Sequence, residues 1–170
     1  VEENMAGYGS IWVKTNNQDF VCNQADASEG EIPSELLEKL SQNNEEAIFM
    51  EVQTTVDLFL YGHWRKGEMI REINYCANEG WYDIKGHSES WEQILFQEEE
   101  KLRQISYLDL EHLSRNPHSI SEYQAAQQTA KKIEEIWRKS ELCEGCFYPM
   151  ATASELYEIV KQQFKLANPY

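Results

Sequence analysis

Between residues 47 and 85 lie four apolar-rich runs, in which apolar side chains mark alternate positions from Val56 onward, and two glycine-bearing dipeptides, Lys66-Gly67 and Glu79-Gly80, separate the last three. A period of two marks strands with one buried face, and a dipeptide ending in glycine supplies the positive φ that a two-residue hairpin turn needs. The pattern predicts strands from Ala47 to Gln53, Val56 to Trp64, Glu68 to Ala77 and Trp81 to Lys85, joined as an antiparallel meander. With both dipeptides as turns, Trp64 faces Met69, Leu60 faces Ile73, Leu58 faces Tyr75, and Tyr75 in turn faces Ile84. The two turns then agree on one apolar face: Val56, Leu58, Leu60, Trp64, Met69, Ile73, Tyr75, Tyr82 and Ile84. Asp57, Phe59, Tyr61, His63, Ile70, Glu72, Asn74, Cys76, Asp83 and Lys85 fall on the opposite, polar face. Because side chains alternate with period two, a slip of one residue would exchange these sets.

Upstream, the alternation from Ser10 to Lys14 and the short run from Asp19 to Cys22 flank a polar turn and predict a hairpin. Pro33 followed by Ser34 opens a helix through Leu36, Leu37 and Leu40 that ends near Gln42-Asn43-Asn44. Beyond Gly86 the period changes. Ser90 with Gln93, Ser119 with Glu122 and Thr152 with Glu155 have capping-box spacing, and each precedes an apolar stripe: Trp91, Ile94, Leu95, Leu102; then Ile120, Tyr123, Ala126, Ala130, Ile133, Trp137; then Leu156, Ile159, Val160, Phe164. Tyr107 to Leu113 reads as a further helical segment. These patterns define an α+β fold, an antiparallel meander of four to six strands with amphipathic helices packed on one face and a helical C-terminal half. The expected organisation is a single domain over 1–170 with residues 1–8 frayed.

Charge changes the picture of what the chain meets. A net charge of −15 alone would suggest disorder, but 41% hydrophobic and 12% aromatic residues supply a core. The first 60 residues carry Lys14 and Lys39 as their only cations against twelve carboxylates, so most of the excess lies there. Such a field repels phosphate backbones and anionic membrane surfaces, which excludes nucleic acid and membrane as natural partners and favours a basic protein. No apolar run is long enough to span a bilayer and no secretory pattern opens the chain, so the expected compartment is the cytoplasm, with Cys22, Cys76, Cys143 and Cys146 reduced.

Three clusters bear chemistry. On the predicted polar face Tyr61 stands opposite Glu72, with His63 diagonally beside that glutamate, an arrangement suited to acid–base work because a carboxylate raises the imidazole pKa and fixes its tautomer. Asp57, Phe59, Asn74 and Asp83 would line the same face as binding residues. The competing reading is an ordinary half-solvated sheet face. Cys143-Glu144-Gly145-Cys146 has the spacing of a shared zinc ion or a redox disulfide. The nearest upstream histidines, His112 and His118, stand at no zinc-module spacing, and no second CxxC or βαβ context accompanies the motif. The acidic runs Glu98-Glu99-Glu100 and Glu45-Glu46 lack calcium-loop spacing and read as solvated faces. Trp64, Trp91 and Trp137 fall on core faces, whereas Trp12 and Trp81 lie near strand ends, where a ring can pack or anchor a partner.

No GxSxG, phosphate-binding glycine loop, dinucleotide fingerprint or HExxH occurs, and no cofactor is implied. The leading expectation is therefore a non-enzymatic interaction module with an acidic surface, as in small acidic proteins that neutralise a basic partner such as a toxin. Two other classes stand beside it: a small hydrolase or isomerase built on His63, Glu72 and Tyr61, and a small-ligand sensor with an aromatic pocket.

Overall fold

A computed structural model describes residues 9–15, 18–24, 30–97 and 120–166. Its centre is a six-stranded antiparallel sheet in the order β2-β1-β3-β4-β5-β6, built from β1 (Gly9–Lys14), β2 (Val21–Gln24), β3 (Glu46–Gln53), β4 (Leu58–Arg65), β5 (Glu68–Cys76) and β6 (Gly80–Gly86). Helix α1 (Ser34–Asn43) stands between β2 and β3 in the chain and packs on β3 and β4. A short 3-10 helix (Glu92–Phe96) follows β6, and α2 (Ile120–Lys139) and α3 (Ala153–Phe164) complete the helical C-terminal half. The α+β class, the strand number and the C-terminal helices are those the hydrophobic pattern predicts. The proposed fraying of 1–8, the Tyr107 to Leu113 segment, Ser119, His112, His118 and the Glu98-Glu99-Glu100 run lie outside the described residues.

The register departs from the expectation, and the departure decides which face is which. The Lys66-Gly67 turn forms as read, with φ of 52° and 83°, and Trp64 pairs with Met69. The ladder then slips: His63 pairs with Arg71, so Ile70 is an extra residue on β5. A bulge of this kind reverses the facing of every side chain beyond it. Leu60 consequently pairs with Asn74 and Leu58 with Cys76, while Tyr61 pairs with Ile73. The second hairpin also differs. Cys76 pairs with Gly80, the loop is Ala77-Asn78-Glu79, and Gly80 at φ 77° follows it, so Tyr75 meets Trp81 rather than Ile84.

Both faces of the sheet are therefore covered. One side carries Ile11, Ala47, Phe49, Leu60 and Trp64 beneath Leu37 of α1. Gly62 makes this approach possible, since a Cβ there would lie 2.7 Å from Trp64 and 2.8 Å from Ile32. The other side carries Trp12, Ile48, Met50, Phe59, Tyr61, Ile73, Tyr75 and Trp81, and packs against Trp91, Ile133, Trp137, Leu156 and Val160. The C-terminal helices thus lie on the Phe59–Tyr61–His63 side, the side the unbulged register would leave polar. Trp12 and Trp81 are fully buried and anchor the core rather than a partner.

Two of the N-caps read from sequence can be compared directly. Thr152 and Glu155 form a complete capping box on α3. The Ser90 signature opens only the short 3-10 helix, whose N-cap, Trp91, makes no side-chain capping hydrogen bond. Among the described residues no helix is long and apolar enough to cross a membrane.

Candidate functional site

The acid–base cluster exists, but with different members. Tyr61 and His63 project from β4 on the side that receives the segment after β6, whereas Glu72 pairs with Gly62 and points to the α1 side. There its carboxylate accepts from Ser34 Oγ at 2.7 Å and Lys85 Nζ at 2.6 Å. The bulge at Ile70 is the cause. Tyr61 and His63 stay together, and Glu72 is separated from them by the sheet.

The carboxylate that takes its place is Glu89. Gly86, at φ 82°, turns the chain off β6 so closely that a Cβ would meet the Ile70 carbonyl oxygen, and His87 N donates to that same oxygen at 3.2 Å. The bulge thus anchors the segment that delivers Glu89 and Glu92 onto the sheet. Glu89 Oε1 lies 2.7 Å from His63 Nδ1, and Glu89 Oε2 accepts from Tyr61 OH at 2.5 Å and from Trp91 Nε1 at 3.4 Å. Arg71, opposite His63 on β5, makes a two-pronged pair with Glu92, Nε to Oε1 at 2.9 Å and Nη2 to Oε2 at 2.6 Å. Its remaining nitrogen donates to the Gly86 carbonyl at 3.0 Å, and Glu92 Oε1 also accepts from Glu89 N at 2.8 Å. The Phe164 ring closes the far side of His63, with centroids 5.3 Å apart.

Glu46 of β3 is the third acid. Its Oε2 lies 3.8 Å from His63 Nε2, an ion-pair separation longer than a hydrogen bond, and Nε2 has no hydrogen-bond partner among the described residues. Its Oε1 accepts from Arg65 Nε at 2.9 Å. Burial of His63 works against its charged form, yet Glu46 and Glu89 outweigh that cost and hold its pKa above the ordinary value. The same imidazolium, opposed by burial and assisted by Arg65, pulls Glu46 down to about 2. Burial and the neighbouring Glu89 push the Tyr61 phenol well above its usual range, so it serves as a donor. Burial raises Glu92, against the pull of Arg71. The arrangement is a histidine set between Glu46 and Glu89, beside the buried Arg71–Glu92 pair.

His63 and Tyr61 are both 0% exposed, so no substrate reaches the imidazole or the phenol in this conformation. A catalytic acid or base must lie within hydrogen-bond reach of the group it serves. The geometry is that of an interior network that ties β3, β4, β5, the 3-10 segment and α3 together, with His63 Nε2 left without a hydrogen bond among the described residues.

The remaining sequence candidates are dispersed. Phe59 is buried and stacks parallel to Tyr61. Asp57, at φ 50°, sits in the β3–β4 turn, where Oδ1 accepts from Ala153 N at the start of α3 at 2.6 Å. Asn74 lies on the α1 side and donates to Asp83, which occupies a second bulge at φ 49°. Cys143 and Cys146 are free, Cys143 half-buried and Cys146 buried. Among the described residues no group of three or more His, Cys, Asp or Glu side chains is placed to hold a metal ion.

The sequence pattern does not mark Glu46, Arg71, Glu89 and Glu92 as members of this cluster. Glu89 sits in a polar stretch, Ser88 to Ser90, with no period that marks an inward position. Arg71 appears as an exception on the predicted apolar face, and a lone arginine among core positions is the available signal for a buried acidic partner.

No family model, curated protein or solved structure matches the chain.

Proposed function

We propose that this chain is an interaction module whose acidic surface receives a basic, partly apolar segment of another protein. The observation that carries this reading is a groove of about 280 Å³ between the 3-10 helix and α3, lined by Ile94, Leu95, Met150, Ala151 and Ile159 together with Glu155, Glu158 and Gln162. Ile94 and Met150 are 40% and 55% exposed there. Apolar side chains beside carboxylates, on a chain of net charge −15, complement a segment that alternates cationic and apolar residues. Burial of Tyr61 and His63 removes the main support for the enzymatic alternative. The small acidic protein that neutralises a basic toxin or enzyme is the concrete form of this reading, by analogy of charge and size. A reducing cytoplasm is the compartment that four free cysteines fit best.

The test is capture of a partner on immobilised protein at low and at moderate salt, for wild type and for Met150→Lys and Ile94→Lys. A basic partner held at low salt, weakened by salt and lost with either variant fits the proposal. No partner at either salt, or one indifferent to both substitutions, overturns it.

A further inference from the structure

The CxxC motif is built into a defined site that neither the buried network nor the groove uses. It follows α2 and docks against the outer edge of β6. Trp81 N donates to the Cys146 carbonyl at 2.9 Å and Gly145 N to the Trp81 carbonyl at 2.8 Å, so Cys146 extends the sheet by one bridge. The Glu144 carboxylate accepts from Ile84 N at 3.0 Å. Gly80 leaves room for this docking, since a Cβ there would stand 2.4 Å from the Cys146 carbonyl oxygen.

Within the loop, Cys146 N donates to the Cys143 carbonyl at 3.2 Å. That bond closes a β-turn, which holds the first and last Cα within about 7 Å of each other. Disulfides span Cα separations of about 4.4–6.8 Å, so the turn is already near the required geometry. The Cys143 thiol feels both the neighbouring Cys146 and the Lys132 ammonium of α2, and its Sγ donates to the Glu144 carbonyl at 3.6 Å. Cys143 is the more accessible sulfur and Cys146 the more buried.

We propose that Cys143 and Cys146 form a thiol–disulfide site that is oxidised by small disulfides of the glutathione type. The Cys143 thiolate attacks one sulfur of the oxidant, forming a mixed disulfide and releasing one thiolate, which takes up the proton that Cys143 lost. The Cys146 thiolate, beside the Lys132 ammonium, then attacks the Cys143 sulfur. The second oxidant thiolate leaves and takes the Cys146 proton. The protein loses two electrons and two protons, and the oxidant becomes two thiols. Burial and the neighbouring Cys146 raise the Cys143 pKa, so the first step quickens as pH rises.

The test equilibrates the whole protein across ratios of reduced to oxidised glutathione, traps free thiols, and maps the peptides by mass. The expected result is loss of two trappable thiols as one link between Cys143 and Cys146, with Cys22 and Cys76 still trapped. Cys146→Ser should retain glutathione on Cys143, and Cys143→Ser should lose the link. A persistent glutathione adduct on Cys143 of the wild type, four free thiols at every ratio, or stoichiometric zinc that disappears in both variants would each overturn the proposal. None of these outcomes depends on the groove.

Discussion

His63 Nδ1 and Glu89 Oε1 meet at 2.7 Å between side chains that are 0% and 12% exposed. A pair so placed is expensive to break from one side, because the remaining charge stays desolvated. Glu89→Ala also strips the acceptor from Tyr61 OH. We expect Glu89→Ala to lower stability by about 3–5 kcal/mol in urea unfolding, the cost of orphaning a buried partner. His63→Ala should be similarly damaging, and the double variant should lose less than the sum because the two share one network. Single variants within error of wild type would show that the network contributes little.

The same network predicts a bell in stability against pH. Glu46 falls from 4.5 to about 2 on folding, so its contribution is present above pH 4.5 and fades as pH drops toward 2. His63 is raised above 6.5, so its contribution is complete below pH 6.5 and is lost as pH climbs through the folded value. Glu92, raised by burial, works oppositely to Glu46 on the acid side. The difference between wild type and Glu46→Gln isolates the pair. It should be greatest between pH 4.5 and 6.5 and shrink on both flanks. A difference that stays flat from the acid flank to the alkaline one would remove the His63–Glu46 ion pair from the account.

How far the fold is legible in the sequence follows from the same strands. Strand number, α1 and the capping box of α3 rest on local signals, period two, Pro-Ser, Thr with Glu, and these emerge intact. The faces rest on a register propagated from two turns, which one extra residue overturns. Ile70 sits at the bulge with no glycine or proline to mark it, and Asp83 takes a positive φ without a glycine. Tyr61 and His63 stay together because they share one strand, whatever the register of its neighbour. Glu72 changes sides because it lies on the neighbouring strand beyond the bulge. Glu89 becomes visible only through the fold, since it reaches His63 across 26 residues of chain.

Gly62 permits the contact of α1 with the sheet. Its φ is not the constraint; space is, with Trp64 Cζ3 and Ile32 Cγ2 inside the reach of any Cβ. We expect Gly62→Ala to cost about 1–3 kcal/mol through overpacking. The damage should appear as faster amide exchange in α1, which leans on β3 and β4. Unchanged exchange in α1 would mean that Trp64 moves aside freely.

Asp57 combines two demands that separate cleanly by substitution. Its backbone is left-handed at φ 50°, a region asparagine and aspartate enter more readily than other side chains, and its carboxylate accepts from Ala153 N at 2.6 Å. The first helical amides have no partner within the helix, and an anionic acceptor there also meets the positive end of the macrodipole. Thr152 already serves Glu155 N, so Asp57 supplies a second acceptor, delivered from the β3–β4 turn across 96 residues of chain. Asparagine at this position would keep the backbone preference and a neutral acceptor, so Asp57→Asn should cost only part of the roughly 0.3–1 kcal/mol of a charge at a helix N-terminus. Asp57→Gly relieves the backbone and removes the acceptor, and Asp57→Ala loses both, with an expected cost of about 1–2 kcal/mol by the measure of lost caps. The order Asn, Gly, Ala in falling stability identifies capping with strain. If glycine matched or exceeded wild type in thermal unfolding, backbone strain alone would govern the site, and the tie between the turn and α3 would be energetically empty.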